Sequence, residues 1–113
     1  MDSLQTTDAL GGRGATHPRV SLADINDAIA GENWFTAGGA ANALGQPAHE
    51  AMKLLTIYIV TMKNGFVVIG KSAPASPENF DAEKGKTFAR EDAIRQLWPL
   101  MGFSLRDRLA QAA

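Results

Sequence analysis

Not one of the 113 residues is a cysteine. That excludes disulfides, thiolate metal sites and thiol nucleophiles, and it suits a reducing compartment. Histidine is nearly as scarce. His17 and His49 lie far apart in loop-like sequence, so no metal site is expected. Charge of one sign is also missing: 11 Lys plus Arg against 12 Asp plus Glu leave a formal net charge of -1. With no global positive field, sequence-independent binding to nucleic acid is disfavoured. No apolar run reaches the roughly eighteen residues of a membrane span, and the N-terminus lacks the basic-then-apolar layout of a secretion signal. The chain is therefore expected in the cytoplasm, away from the membrane. Recognisable catalytic machinery is lacking too: the sequence holds no Gly-x-Ser-x-Gly, no His-Glu-x-x-His and no dinucleotide fingerprint. A binding protein without a cofactor is predicted, not an enzyme.

What is present is ordinary globular composition, 45% hydrophobic and 20% charged, in a chain with room for one domain. Residues 1–19 are polar and glycine-rich, without apolar periodicity, and read as a flexible arm; residues 20–113 read as a single α+β domain. Ser21 with Asp24 makes an approximate capping box, and Leu22, Ile25 and Ile29 share a helical face, so a short helix is predicted, stopped by Gly31. Trp34 and Phe35 lead into Gly38, Gly39, Ala40, Ala41, Ala43, Gly45 and Pro47, a small-residue stretch that reads as a mobile loop. It lacks the lysine and hydroxyl residue of a phosphate loop.

The strongest local signal runs from Leu54 to Gly70, where β-branched and aromatic residues flank Asn64-Gly65. This predicts an antiparallel β-hairpin with a two-residue loop, Thr61 facing Val68 and Ile59 facing Gly70. Period two then places Ile57, Ile59, Phe66 and Val68 on one face, and Tyr58, Val60, Met62, Val67 and Ile69 on the other. Both faces are apolar, and a short chain has one substantial helix to offer, so a homo-oligomer is expected.

Ser76-Pro77-Glu78 carries a helix-start pattern. Beyond it Ala82, Gly85, Ala89 and Ala93 recur at three and four with Ile94 and Leu97, and this small-residue stripe lets a helix approach a sheet closely. Pro99 and Gly102 are predicted to end that helix, and Ser104 with Asp107 to cap a second, giving a C-terminal helix pair on the sheet. Trp98, between Leu97 and Pro99, reads as core.

Carboxylates Asp81, Glu83, Glu91 and Asp92 sit among Lys84, Arg90 and Arg95, a pattern of solvated ion pairs. The segment Gly70 to Phe80 has two readings. It is a proline-stiffened turn, or a site in which Lys71, Ser72, Asn79 and Phe80 hold an anionic or planar ligand beside a helix N-terminus. Aromatics Trp34 and Phe35 are stacking candidates if exposed, and Lys84 and Arg90 are candidate phosphate contacts. A basic stripe of Lys84, Lys86, Arg90, Arg95, Arg106 and Arg108 is the basis of a nucleic-acid accessory reading.

The motifs Lys63-Asn64-Gly65-Phe66, Asn79-Phe80-Asp81 and Trp98-Pro99-Leu100, in this order over roughly residues 54 to 109, resemble a family of short tailed-phage and prophage proteins. Members of that family often read Gly-Glu-Ser-Ala-Cys where this chain has Gly70-Lys71-Ser72-Ala73-Pro74, and Leu-Glu-Gly-Tyr where it has Leu100-Met101-Gly102-Phe103. Those departures remove an acid and a thiol that an enzymatic reading would use. The resemblance implies a phage accessory protein made in the cytoplasm of an infected bacterium, of the kind that inhibits or decoys host machinery. The expected function is anti-defence: sequestration of a nucleotide-type host immune signal in a pocket between subunits. The alternatives are a protein-binding inhibitor of a host enzyme and a nucleic-acid accessory factor.

Overall fold

The computed structural model describes residues 2–113. Three antiparallel strands, β1 (Ile29–Thr36), β2 (Thr56–Met62) and β3 (Val67–Ser72), form a sheet in the order β1-β2-β3. Helices α1 (Ser3–Gly12) and α2 (Leu22–Asp27) precede β1, α3 (Ala37–Ala43) and a 3-10 turn (Glu50–Leu54) join β1 to β2, and α4 (Ala82–Ala112) closes the chain. The architecture is α+β, with a C-terminal helix packed on a three-stranded sheet.

Ser21 and Asp24 form the expected capping box, each side chain accepting from the other's backbone N–H. The helix nevertheless ends at Asp27, and Ile29 and Gly31 belong to β1, with an irregular register between them. Three further expectations are overturned. Residues 3–12 are helical where a flexible arm was expected: Asp2 caps the helix, Leu4 is buried, and Asp8 accepts from the Leu22 N–H while pairing with Arg19 at 3.1 Å. One buried leucine and polar ties from Ser3 and Asp8 dock this helix, which is why no periodicity announced it. The segment read as a mobile loop is instead the edge strand β1 followed by α3, in which Thr36 caps the Gly39 N–H and Gly38 packs against the Lys53 backbone. Finally, Pro99 lies inside one 31-residue helix instead of dividing two. A proline deletes one backbone hydrogen bond there, and the turns on either side carry the helix through.

The hairpin forms, but not with the expected loop. Gly65 N–H donates to the Met62 carbonyl and Met62 N–H to the Phe66 carbonyl, both at 2.8 Å, and Asn64 Oδ1 accepts from Phe66 N–H. Gly65 has φ +89, whereas among the described residues no non-glycine has a positive φ. Lys63 and Asn64 are thus the centre of a turn closed by a glycine bulge, a three-residue loop. Val60 pairs with Val68 and Ile59 with Ile69. The extra loop residue shifts β3 by one, which moves every β3 side chain to the other face: Val68 faces the core, and Val67 and Ile69 face outward.

Helix α4 covers one face only. Tyr58, Val60, Met62, Val68, Ala89, Ala93, Ile94 and Leu97 are buried together with Leu4 and Ile25. The small-residue stripe does what its spacing suggested, since a Cβ on Gly70 would overlap the Ala89 carbonyl oxygen and lie 2.6 Å from the Ala93 nitrogen. Trp98 packs against this core and donates its indole N–H to the Val20 carbonyl at 2.9 Å. Leu97 is the last buried residue of α4, so a helix of about 46 Å runs well past a sheet of about 24 Å.

Candidate functional site

The eight residues singled out as ligand contacts fall in three places, separated by α4 and by the sheet. Ser72, Asn79, Phe80 and Lys84 come together in a pocket of about 190 Å³, where Gly85, Phe88 and Asp81 join them. It forms because β3 ends at Ser72, a proline-stiffened bend leads to a 3-10 turn at Pro77–Asn79, and α4 returns past the strand end. The absence of a Cβ at Gly85, which packs against Thr56, keeps the helix close. Phe88, one turn beyond Lys84, is the aromatic wall that sequence reading missed; its i+4 spacing from Lys84 was the available signal.

The helical turn expected after Ser76 is the 3-10 turn Pro77–Asn79; α4 itself begins at Ala82, and its N-cap Asp81 accepts from the Glu83 and Lys84 N–H groups. These donors are spent on Asp81 and are not free for an anion. The cationic group of the pocket is the exposed Lys84 side chain.

On the other flank of α4, Trp34 stacks on Tyr58 with ring centroids 5.6 Å apart and planes 7° from parallel, and the Lys86 ammonium sits 3.8 Å from the centre of the indole ring. Trp34 is 48% exposed, so a planar ligand could reach it by displacing Lys86. Arg90 lies close by but is committed. Its Nε donates to Glu32 at 2.6 Å and its Nη2 to Asn26 at 2.9 Å, while Tyr58 Oη donates to Glu32 at 2.7 Å. Burial opposes ionisation of Glu32, yet the hydrogen bonds from Tyr58 and Arg90 and the Arg90 charge outweigh it and hold the carboxyl below its usual range. Burial first, then the bond to Glu32, pushes the Tyr58 hydroxyl up to about 12. The network ties α2, β1, β2 and α4 together, which is a structural duty for Arg90.

Phe35 and Lys71 are on the opposite face of the sheet. They flank Ile57 in one cross-strand row, Phe35 opposite Ile57 and Ile57 opposite Lys71. Sequence could place neither, because the bulged loop decides the face of Lys71 and β1 had not been recognised as a strand.

Of the four carboxylates Asp81, Glu83, Glu91 and Asp92, three are engaged. Asp81 caps the helix, Glu91 accepts from Ser3 and Arg95, and Asp92 accepts from the Lys71 N–H. Among the described residues no group of three potential ligands is placed to hold a metal ion, and no helix is long and apolar enough to cross a membrane. A second groove, of about 400 Å³, lies between the hairpin loop and the overhang of α4, walled by Met62, Phe66, Leu97, Leu100 and Met101. It is larger but apolar, and none of the eight residues reaches it.

Residues 20–109 match the model of a family described as phage protein (N4 Gp49/phage Sf6 gene 66) family. No curated protein and no solved structure matches the chain.

Proposed function

The chain belongs to this phage protein family, and from that premise we propose that it counters a host defence by binding and sequestering a nucleotide-type immune signal without chemically changing it. The observation that carries this reading is the pocket in which two phenylalanine rings, an ammonium, an amide and a hydroxyl converge. Phe80 or Phe88 offers a stacking surface for a base, Lys84 a contact for phosphate, and Asn79 and Ser72 hydrogen bonds for ribose. Nothing in the pocket pairs a nucleophile with a base, and Asp81 is occupied by helix capping.

At about 190 Å³ the pocket holds a base or a sugar phosphate, whereas whole-ligand sites run to roughly 300–1,000 Å³. It therefore seats one part of such a ligand, a base or a sugar phosphate, and leaves the remainder at the surface. Calorimetric titration with a panel of linear and cyclic mono- and dinucleotides tests the reading. Binding to wild type that falls about tenfold or more in Lys84→Ala, with the ligand recovered intact, supports it. A panel without a binder, or an affinity untouched by Lys84→Ala, contradicts it.

A protein-binding inhibitor of a host enzyme is the second reading. It is favoured by the α4 overhang, which leaves Leu100 and Phe103 exposed beside the apolar groove. Phe103→Asp would then abolish capture of a purified host protein while leaving nucleotide affinity unchanged.

A further inference from the structure

The sheet face opposite α4 carries Phe35 at 40%, Val67 at 49% and Ile69 at 54% exposure, around half-buried Ile57 and Ile59 on the central strand. Its one charged strand residue is Lys71. The chain spans 55 × 29 × 17 Å, and 17 Å accommodates one sheet and one helix layer, so no third layer covers this face.

The edges of the sheet are treated differently. Along β3, Asp92 accepts from the Lys71 N–H at 3.0 Å and Gln96 donates to the Ile69 carbonyl at 2.7 Å, which occupies groups an added strand would need. Along β1, the irregularity between Ile29 and Gly31 disturbs the ladder. The β3 edge is occupied and the β1 edge is irregular at its start, while the apolar face is left bare, a combination that favours stacking of faces over strand addition.

The face is self-complementary. Its cross-strand rows read Phe35–Ile57–Lys71, Asn33–Ile59–Ile69 and Gly31–Thr61–Val67. A two-fold axis along β2 lays β3 of one copy over β1 of the other. Lys71, the only charge, then meets the Phe35 ring of the second copy, a cation–π contact. Val67 lies over the bare Gly31 position, and Ile59 meets itself at the axis. An axis running across the strands would instead leave Lys71 over an aliphatic Val67.

We infer that this face is a dimer interface whose occupant is a second copy of the chain, giving a helix-sheet-sheet-helix stack with strands aligned within about 30°. A face of roughly 14 by 20 Å, with its side-chain relief, removes about 1,000 Å² from water over both copies, the lower bound of a specific interface. An interface at that lower bound is a transient one, dissociating on dilution. The inference does not rest on the nucleotide reading, and its test uses no ligand.

The cysteine-free chain makes that test clean. In Ile59→Cys, mild oxidation at about 100 μM protein joins two copies through the residue on the axis, whereas Phe103→Cys, on the α4 overhang, stays uncoupled. Native mass spectrometry of wild type at that concentration shows dimer. Ile59→Glu shows monomer, with association weakened about 100-fold and an unchanged circular dichroism spectrum and melting midpoint. A monomeric wild type, a dimer that survives Ile59→Glu, or Ile59→Cys that does not cross-link overturns the inference. So does a wild-type monomer that uses this face to hold a host protein.

Discussion

Replacing Gly70 with alanine probes the closest approach in the molecule. The new Cβ overlaps the Ala89 carbonyl oxygen, lies 2.6 Å from the Ala93 nitrogen and 2.9 Å from the Ala93 Cβ. Two of these three atoms are backbone of a continuous helix, so no rotamer change relieves the overlap. The helix must retreat by about 1.5 Å to restore ordinary contacts near 3.5 Å, and Ala93, Ile94 and Leu97, all at 2% exposure or less, retreat with it. Overpacking against mobile side chains costs about 1–3 kcal/mol; overlap with backbone belongs at or above the upper end, so about 3 kcal/mol or more is expected. For a domain this size that lowers the melting midpoint by roughly 12 °C. It is a large share of a total stability of about 5–15 kcal/mol. Gly102→Ala is the paired control. It places a Cβ in open space on the same helix and should stabilise by up to about 1 kcal/mol through helix propensity. Urea denaturation with an unchanged slope reads both values. A Gly70→Ala midpoint within about 1 kcal/mol of wild type would refute the close packing of α4 on β3.

Three further outcomes follow from the same contacts. Pro99→Ala restores a backbone hydrogen bond at an exposed site inside α4 and should stabilise by about 1–3 kcal/mol; a lowered melting midpoint would mean that the proline serves packing. Tyr58 holds its proton up to about 12 in the folded state against 10.0 ordinarily, so its contribution is full below pH 10 and is lost as pH rises toward 12. Glu32 is held below 4.5, so its contribution is present above that pH and is lost on acidification. In urea midpoints measured across pH, Glu32→Gln should flatten both the acid and the alkaline slopes, and retention of the wild-type alkaline slope would separate Tyr58 from Glu32. Ser21→Ala removes the acceptor for the Asp24 N–H and should cost about 1 kcal/mol; no change by thermal melting would deny the cap a part in stability.

Legibility in sequence followed the range of the interactions. The Ser21–Asp24 cap, the hairpin strands and the Gly85-Ala89-Ala93 stripe are local patterns, and the structure keeps each of them. Strand β1 escaped notice because Gly31, Glu32 and Asn33 interrupt any alternation. Its place is fixed by pairing with β2 and by the Glu32–Tyr58–Arg90 network, whose members are distant in sequence. The hairpin register turned on one residue: Asn64-Gly65 suits a two-residue loop, yet it also supplies the end of a three-residue loop when Lys63 enters the turn, and composition does not choose between them. Pro99 misled for a related reason, since the local cost of proline is offset by the turns it joins. The candidate site was half legible. Ser72, Asn79, Phe80 and Lys84 are near one another in sequence and meet in space, whereas Lys71, from the same segment, is turned to the other face by the bulged loop, and the flank of α4 or face of the sheet on which Trp34, Phe35 and Arg90 lie follows from tertiary packing.

Native mass spectrometry after incubation with the nucleotide panel bears most directly on the central claim. The expected result is protein carrying one intact nucleotide per site, an adduct that disappears in Lys84→Ala while the bare protein mass and fold are retained. No adduct with any member of the panel, an adduct indifferent to Lys84→Ala, or release of a cleaved nucleotide would contradict it.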